Sequence, residues 1–140
     1  MKIKNFALLA GAVAMLSACS CCTSSVTEPT DLEDMRVFFA FNSSEISKDA
    51  NENLLGQAAY LKSHPDTKIQ IAGNCDERGS TEYNLALGAR RANAAKSVIV
   101  NNGVEANRIS TISYGKERPL VKGTGEEVWK WNRNATTTVK

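Results

Sequence analysis

One stretch of the sequence gathers residues able to recognise a small charged ligand. It runs Gly73, Asn74, Cys75, Asp76, Glu77, Arg78, Gly79, and is followed by a segment containing Asn84, Gly88 and Arg91. Asn84 and Arg91 stand seven apart, two helical turns, so on a helix they share a face. At a rise of 1.5 Å per residue they lie ~10 Å apart along the axis. Gly88 falls between them on that face. A glycine inside a helix costs about 1 kcal/mol against alanine, so its presence points to something approaching the backbone closely. Asp76 lies in the loop that feeds this helix. The first helical turn offers unpaired N–H groups that favour anions. A carboxylate, an amide, a guanidinium and free backbone donors in one place suit a zwitterion. Arg91 would fork onto a carboxylate, and Asp76 would accept from an ammonium. A loop aspartate and a helix arginine equally describe a structural ion pair, and spacing alone does not separate the two readings.

Other chemistries find less support. Cys75 would need a base to act as a nucleophile. The sole histidine, His64, precedes Pro65 at a predicted helix end and reads as a solvated turn residue. Asp76 and Glu77 are adjacent in a loop, not a facing pair of the kind glycoside hydrolysis uses. One histidine and no Cys-x-x-Cys spacing leave no zinc pattern. The sequence therefore implies no catalytic residue, no metal and no resident cofactor. Trp129 and Trp131 would share a face on a strand and diverge on a helix; cover for the core is preferred over a carbohydrate platform. Arg90 reads as a surface residue. The alanines Ala86, Ala89, Ala92 and Ala95 read as packing that lets their helix lie close to a sheet.

These residues must be positioned by a domain that starts near Met35. The run Val37, Phe38, Phe39, Ala40, Phe41 reads as a strand buried on both faces, and Asn42-Ser43-Ser44 as a turn. Ser47 predicts an N-cap for a helix from Lys48 to about Ser63, with Leu54, Leu55, Ala58, Ala59 and Leu61 as its apolar side and Pro65 as its stop. Ile69 to Ala72 predicts the second strand, Gly73 to Gly79 a polar loop, and Ser80 or Thr81 the cap of a long helix ending at Asn102-Gly103. Ile109 to Tyr114 predicts a third strand, Glu126 to Asn132 a short helix, and Ala135 to Lys140 a weak, threonine-rich last strand. The order β-α-β-α-β-(α)-β predicts an α/β (α+β) two-layer sandwich, with helices on one face of a mixed sheet.

Residues 1–18 have the form of a secretory leader: Lys2 and Lys4, then an apolar run from Phe6 to Leu16, then small residues. Leu16-Ser17-Ala18-Cys19 resembles the lipobox of bacterial lipoproteins. That resemblance implies a diacylglyceryl group on Cys19 and cleavage before it. Ser20, not Asp, follows, which by analogy with enterobacterial sorting implies the outer membrane. Residues 19–34 then form a polar tether ahead of a domain over 35–140. The chain carries 17 basic and 15 acidic residues; with Lys2 and Lys4 removed, 15 basic residues face the same 15 acidic ones. A neutral chain has no electrostatic footprint for nucleic acid.

The stretch from Gly73 to Ala92 resembles the peptidoglycan-binding signature of the OmpA-like domain family. The shared pattern is Asp76, Gly79, Asn84, Leu87, Arg91 and Ala92. Asp76-Glu77-Arg78-Gly79, Glu82-Tyr83-Asn84, Tyr114-Gly115-Lys116-Glu117 and Pro119 are similar to the peptidoglycan-associated lipoproteins of that family. The resemblance implies that Asp76 and Arg91 hold the meso-diaminopimelate residue of the peptidoglycan stem, that Asn84 supports the site, and that Phe41-Asn42 lines it. The family's terminal motif falls on Asn132 and Arg133. The resemblance further implies TolB-like and TolA-like partners in a Tol-Pal-like system at the periplasmic face of the outer membrane. Three positions depart from the pattern: Asn42 stands where the family often has Asp, Asn134 replaces the second arginine of the terminal motif, and the strand Thr136-Thr137-Thr138-Val139 is unusually polar. A cell-wall hydrolase or amidase, and a structural surface lipoprotein with no ligand, are the competing readings.

Overall fold

The computed structural model describes Leu32 and residues 35–140. The predicted leader, the lipidation of Cys19, Cys21, Cys22 and the tether apart from Leu32 lie outside the described residues.

Four strands and three helices alternate as expected: β1 (Met35–Phe38), α1 (Lys48–Ser63), β2 (Ile69–Asn74), α2 (Thr81–Asn101), β3 (Ile109–Gly115), α3 (Glu126–Asn132) and β4 (Asn134–Val139), with one 3₁₀ turn at Ala106–Arg108. The sheet order is β1-β4-β2-β3. β4 runs antiparallel to both β1 and β2, while β2 and β3 are parallel and joined by α2. The mixed sheet follows from this: a parallel pair needs a crossover of helix length, and the last strand then slips between β1 and β2.

The caps explain why the helix ends were legible. Ser47 Oγ accepts from Ala50 N–H at 3.1 Å, and Ser80 Oγ accepts from Tyr83 N–H at 3.1 Å. Each satisfies a backbone donor that the first turn leaves unpaired. Asn102 caps the end of α2, and Gly103 takes a φ of +99°, open to glycine at little cost.

The core lies between the helix pair and one face of the sheet. Leu54, Ala58 and Leu61 of α1 meet Ile69 and Ile71 of β2, Ala92, Ala95 and Ile99 of α2, and Val104. Burying each large aliphatic side chain contributes about 1.5–3 kcal/mol. Leu32, assigned to the tether by sequence, is buried in the same core.

Several expectations need correction. β1 stops at Phe38, and of its four residues only Val37 is buried. It is an edge strand, with Phe38 on the open side of the sheet. Phe39 is buried, but beyond the strand. On α1, Leu55 and Ala59 are exposed, and the buried position between Leu54 and Ala58 belongs to Gln57. On α2, Ala86 is exposed and Ala89 half-buried, which leaves Ala92 and Ala95 as the packing alanines. β2 continues through Gly73 and Asn74 instead of ending at Ala72. A Cβ on Gly73 would lie 1.7 Å from Gly88 O, and one on Gly88 would lie 2.3 Å from Ser113 Oγ. The close approach inferred at Gly88 is therefore helix against sheet.

The polar last strand also has a reason. β4 is central, and Thr136 and Thr138 face the side that no helix among the described residues covers. Thr137 faces the helices, and its Oγ1 donates to Gln57 Oε1 at 2.7 Å. A hydrogen-bonded polar pair fills the layer where an apolar contact was expected.

Candidate functional site

The site forms where the carboxyl ends of β2 and β3 meet the start of α2. The register between β2 and β3 shifts at Gly73 and Asn74: Gly73 pairs with Ser113, and Asn74 pairs with Gly115. This bulge adds local twist and bends the strand. Cys75 N–H then donates to Gly115 O at 2.8 Å, and the chain turns so that Asp76 faces a cavity. Gly115, at φ +54°, packs so close to α2 that a Cβ would lie 3.1 Å from Leu85 N.

Asn84 fixes the loop from the other side. It is buried, and its Nδ2 donates to Arg78 O at 2.8 Å. Gly79 between them adopts φ +96°, a left-handed conformation that glycine takes without strain. A Cβ there would make only ordinary contacts, so backbone conformation and not space calls for glycine.

Arg91 enters from α2, buried to 1 % exposure. Its Nε donates to Ser43 O at 2.8 Å, its Nη1 to Asn74 O at 2.9 Å, and its Nη2 to Ala40 O at 3.1 Å. Phe39 lies beneath the guanidinium, its ring centre 5.3 Å from Cζ. These bonds tie the turn after β1 to the end of β2 and hold Phe41 and Asn42 over the cavity. Asn42 sits at φ +55°, which asparagine tolerates better than most residues. A guanidinium has five N–H donors; these carbonyls take three of them on Arg91. Burial pulls its pKa down from the usual arginine value.

Asp76 is also buried, but it is not paired with Arg91. Its Oδ1 accepts from Arg78 N–H at 3.0 Å and from Arg78 Nε at 3.2 Å, and its Oδ2 accepts from Arg78 Nη2 at 2.7 Å. Arg133 Nη1 stands 3.5 Å from Oδ2. Burial works to raise the Asp76 pKa, but the hydrogen bonds and charge of Arg78, with the charge of Arg133, outweigh it. They hold the carboxyl below the ordinary carboxylate range.

The cavity has a volume of about 330 Å³ and is lined by Phe41, Asn42, Cys75, Asp76, Arg78, Gly79, Tyr83, Asn84, Leu87 and Arg91. That is at the lower end for small-molecule sites. Six of the residues singled out by sequence (Asp76, Arg91, Asn84, Gly79, Phe41 and Asn42) share this wall. Arg133 does not. It lies behind Asp76, where Nε donates to Phe39 O at 2.9 Å and the two Nη groups fork onto Glu126 at 3.1 and 2.5 Å. Asn134 also lies away from the cavity; its Oδ1 accepts from Asn74 Nδ2 at 2.9 Å.

Two participants escaped the sequence reading. Arg78 covers Asp76, with its Cζ 3.8 Å from the Phe41 ring centre and 4.1 Å from that of Trp129. Trp129 thus backs Arg78 from outside the cavity and is not core cover, and its Nε1 donates to Glu77 Oε1 at 3.0 Å. Trp131, on the diverging face of α3, is exposed and meets Phe38 edge to face at 5.6 Å. Cys75 is buried, its Sγ donates to Asn84 O at 3.3 Å, and burial raises its thiol pKa. It has the surroundings of an unreactive thiol. Among the described residues, no group of three or more His, Cys, Asp or Glu could hold a metal ion.

Comparison with known proteins gives a consistent picture. Residues 38–133 match the model of the OmpA family. The chain is 48 % identical over 104 residues to a peptidoglycan-associated lipoprotein of Mesorhizobium japonicum, an alignment covering 74 % of this chain and 62 % of that protein. It therefore spans less than two thirds of that relative's length. It is 40 % identical over 136 residues to a peptidoglycan-associated lipoprotein of Agrobacterium fabrum, covering 97 % of this chain and 77 % of that one. Its fold superposes on the crystal structure of the peptidoglycan-associated lipoprotein from Burkholderia pseudomallei with a TM-score of 0.73, at 41 % identity, over 75 % of this chain and 89 % of that one.

Proposed function

The chain belongs to the OmpA family and, within it, to the peptidoglycan-associated lipoproteins, and from that premise we propose that it binds the peptide stems of peptidoglycan without cleaving them. The observation that carries the reading is the cavity at the carboxyl ends of β2 and β3, where a buried carboxylate and a buried guanidinium share one wall without pairing. Asp76 is balanced by Arg78 and Arg133, whereas Arg91 is a buried charge with no carboxylate within 4 Å among the described residues, which is costly. The carboxylate of an amino-acid terminus gives Arg91 a partner, and its ammonium competes for Asp76.

The ligand is the diaminopimelate residue of the stem. Its side-chain end carries an ammonium and a carboxylate on one carbon. Asp76 accepts from the ammonium, and Arg91, in the same wall, meets the carboxylate. Asn84 and Gly79 hold the loop in shape, and the Phe41-Asn42 turn closes the rim. The domain acts by grip and not by catalysis; burial holds the cavity thiol of Cys75 protonated, away from its nucleophilic form.

Acyl chains on Cys19 anchor the chain to the periplasmic face of the outer membrane, since two or three chains at about 0.8 kcal/mol per buried CH₂ give lasting attachment. Anchor and grip together make a tether between membrane and wall. TolB-like and TolA-like proteins are its partners in a Tol-Pal-like envelope system that maintains integrity during division.

Sedimentation with purified sacculi tests the reading. The protein is expected to pellet with sacculi and to leave their turbidity unchanged. A protein that stays in the supernatant refutes binding, and falling turbidity replaces the tether with a hydrolase.

A further inference from the structure

Of the two guanidinium groups on Asp76, only that of Arg78 lies in the cavity wall. Arg133 is tied behind by Phe39 O and Glu126. The Arg78 side chain is 29 % exposed and that of Asp76 5 %, so Arg78 is what a ligand meets first. It makes a two-point contact with the carboxylate, at 3.2 and 2.7 Å, and rests between two aromatic rings. The Trp129 ring is itself held by Glu77. Arg78 therefore occupies the position that an ammonium needs.

We propose that Arg78 sets the specificity of the cavity by ion-pair exchange: the ligand's ammonium replaces Arg78 on Asp76, and the ligand's carboxylate then satisfies Arg78. The inference rests on the reading of the cavity as an amino-acid site. Once displaced, the guanidinium keeps its hold between Phe41 and Trp129, because cation–π attraction needs no anion. The one carboxylate left to it there is the exposed Glu126, 3.8 Å from Nη2 and already forked by Arg133, so displacement still costs Arg78 its close partner, which is disfavoured for a partly desolvated charge. A ligand bearing only a cation imposes that loss. A ligand bearing only a carboxylate finds Arg78 already neutralised and meets the charge of Asp76. A zwitterion re-pairs both sides. Arg91 cannot do this alone, since three of its donors are held by backbone carbonyls.

Calorimetry on the full chain in detergent tests the exchange with two probes, meso-diaminopimelate and cadaverine, the same five-carbon diamine without carboxylates. The wild type should prefer diaminopimelate by ~100-fold, the order expected from two charge-assisted contacts. Arg78→Ala and Arg78→Gln should each cut that preference by ~10-fold or more, with cadaverine gaining relative to diaminopimelate. Glutamine fills the aromatic slot without charge, so it separates lost charge from lost packing. Arg78→Lys keeps the charge without the fork and should retain an intermediate preference. An unchanged preference in both uncharged variants overturns the exchange and assigns selection to Arg91. A wild type that binds neither probe sinks the amino-acid reading of the cavity as well.

Discussion

The two ends of β2 each carry an arginine that gathers backbone carbonyls, and they differ in what balances the charge. Before β2, Arg108 donates from Nε to Thr67 O at 3.0 Å and from Nη2 to Leu61 O and His64 O, both at 2.7 Å. This satisfies carbonyls at the end of α1, and Glu105 stands 3.3 Å away as a counter-charge. After β2, Arg91 gathers three carbonyls in the same manner but has no carboxylate within 4 Å among the described residues. It also borders a cavity. Stapling accounts for Arg108 completely. At Arg91 it accounts for the hydrogen bonds but not for a buried charge left without a counter-ion, which is costly to maintain. The contrast separates an arginine whose surroundings the fold explains from one to which the proposed function adds a ligand.

The largest effect should come from removing each in turn. Arg91→Ala removes the donors to Ser43 O, Ala40 O and the buried Asn74 O, and leaves a cavity where a large buried side chain stood, and is expected to cost about 3 kcal/mol or more. Arg108→Ala, nearer to water, should cost about 2 kcal/mol. Urea midpoints measure both. Sacculus sedimentation, run where each variant is still folded, should show binding lost in Arg91→Ala and kept in Arg108→Ala. Equal binding by the two folded variants would erase the distinction. The spacing in the sequence treats Arg91 as free for a ligand; the structure makes it a staple too, so its loss must weaken the fold.

Asp76→Asn sharpens the same contrast at smaller cost, because shape is kept and only charge is removed. Binding should fall ~10-fold or more. The folded-state pKa of Asp76 is depressed, so its contribution to stability is present above the unfolded carboxylate value, near 4, and is lost as pH falls through the lower folded value. Urea midpoints of the wild type should therefore drop from about pH 5 toward pH 2. The variant should lose that part of the slope. Matching slopes in the two proteins would mean that Asp76 is not held charged by Arg78 and Arg133.

What the sequence disclosed divides along the same line. The helices were legible because their ends carry side-chain signals: Ser47 and Pro65 bracket α1, and Ser80 and Asn102-Gly103 bracket α2. The end of β2 was not. Gly73-Asn74 has no β-branched residue, and its strand conformation comes from neighbouring strands and from the Gly73–Gly88 contact. In the site, Asp76, Asn84 and Arg91 were found through helical spacing and family resemblance. Arg78 and Trp129 were missed because their meeting joins a loop to a helix some fifty residues away. A charge beside the key aspartate was the only local signal for Arg78.

Between the two ends lies a polar contact with no charge, which sets the lower limit of the comparison. Thr137 is 1 % exposed, and its hydroxyl donates to Gln57 Oε1, while Gln57 Nε2 donates to Asn53 Oδ1 at 2.7 Å. Thr137→Val keeps the shape and suits a strand, but it leaves a buried amide oxygen without its donor. That should cost about 1–2 kcal/mol. Adding Gln57→Leu removes the orphan, so the double variant should recover most of the urea midpoint, since replacing both partners by apolar groups is close to neutral. A double variant as unstable as the single one would place the cost in strand packing instead. Sacculus binding should be unchanged throughout, because neither residue reaches the cavity. The same interior then tolerates exchange of a neutral polar pair and does not tolerate loss of the charges at Asp76 and Arg91, which ties ligand binding to charge and not to interior polarity as such.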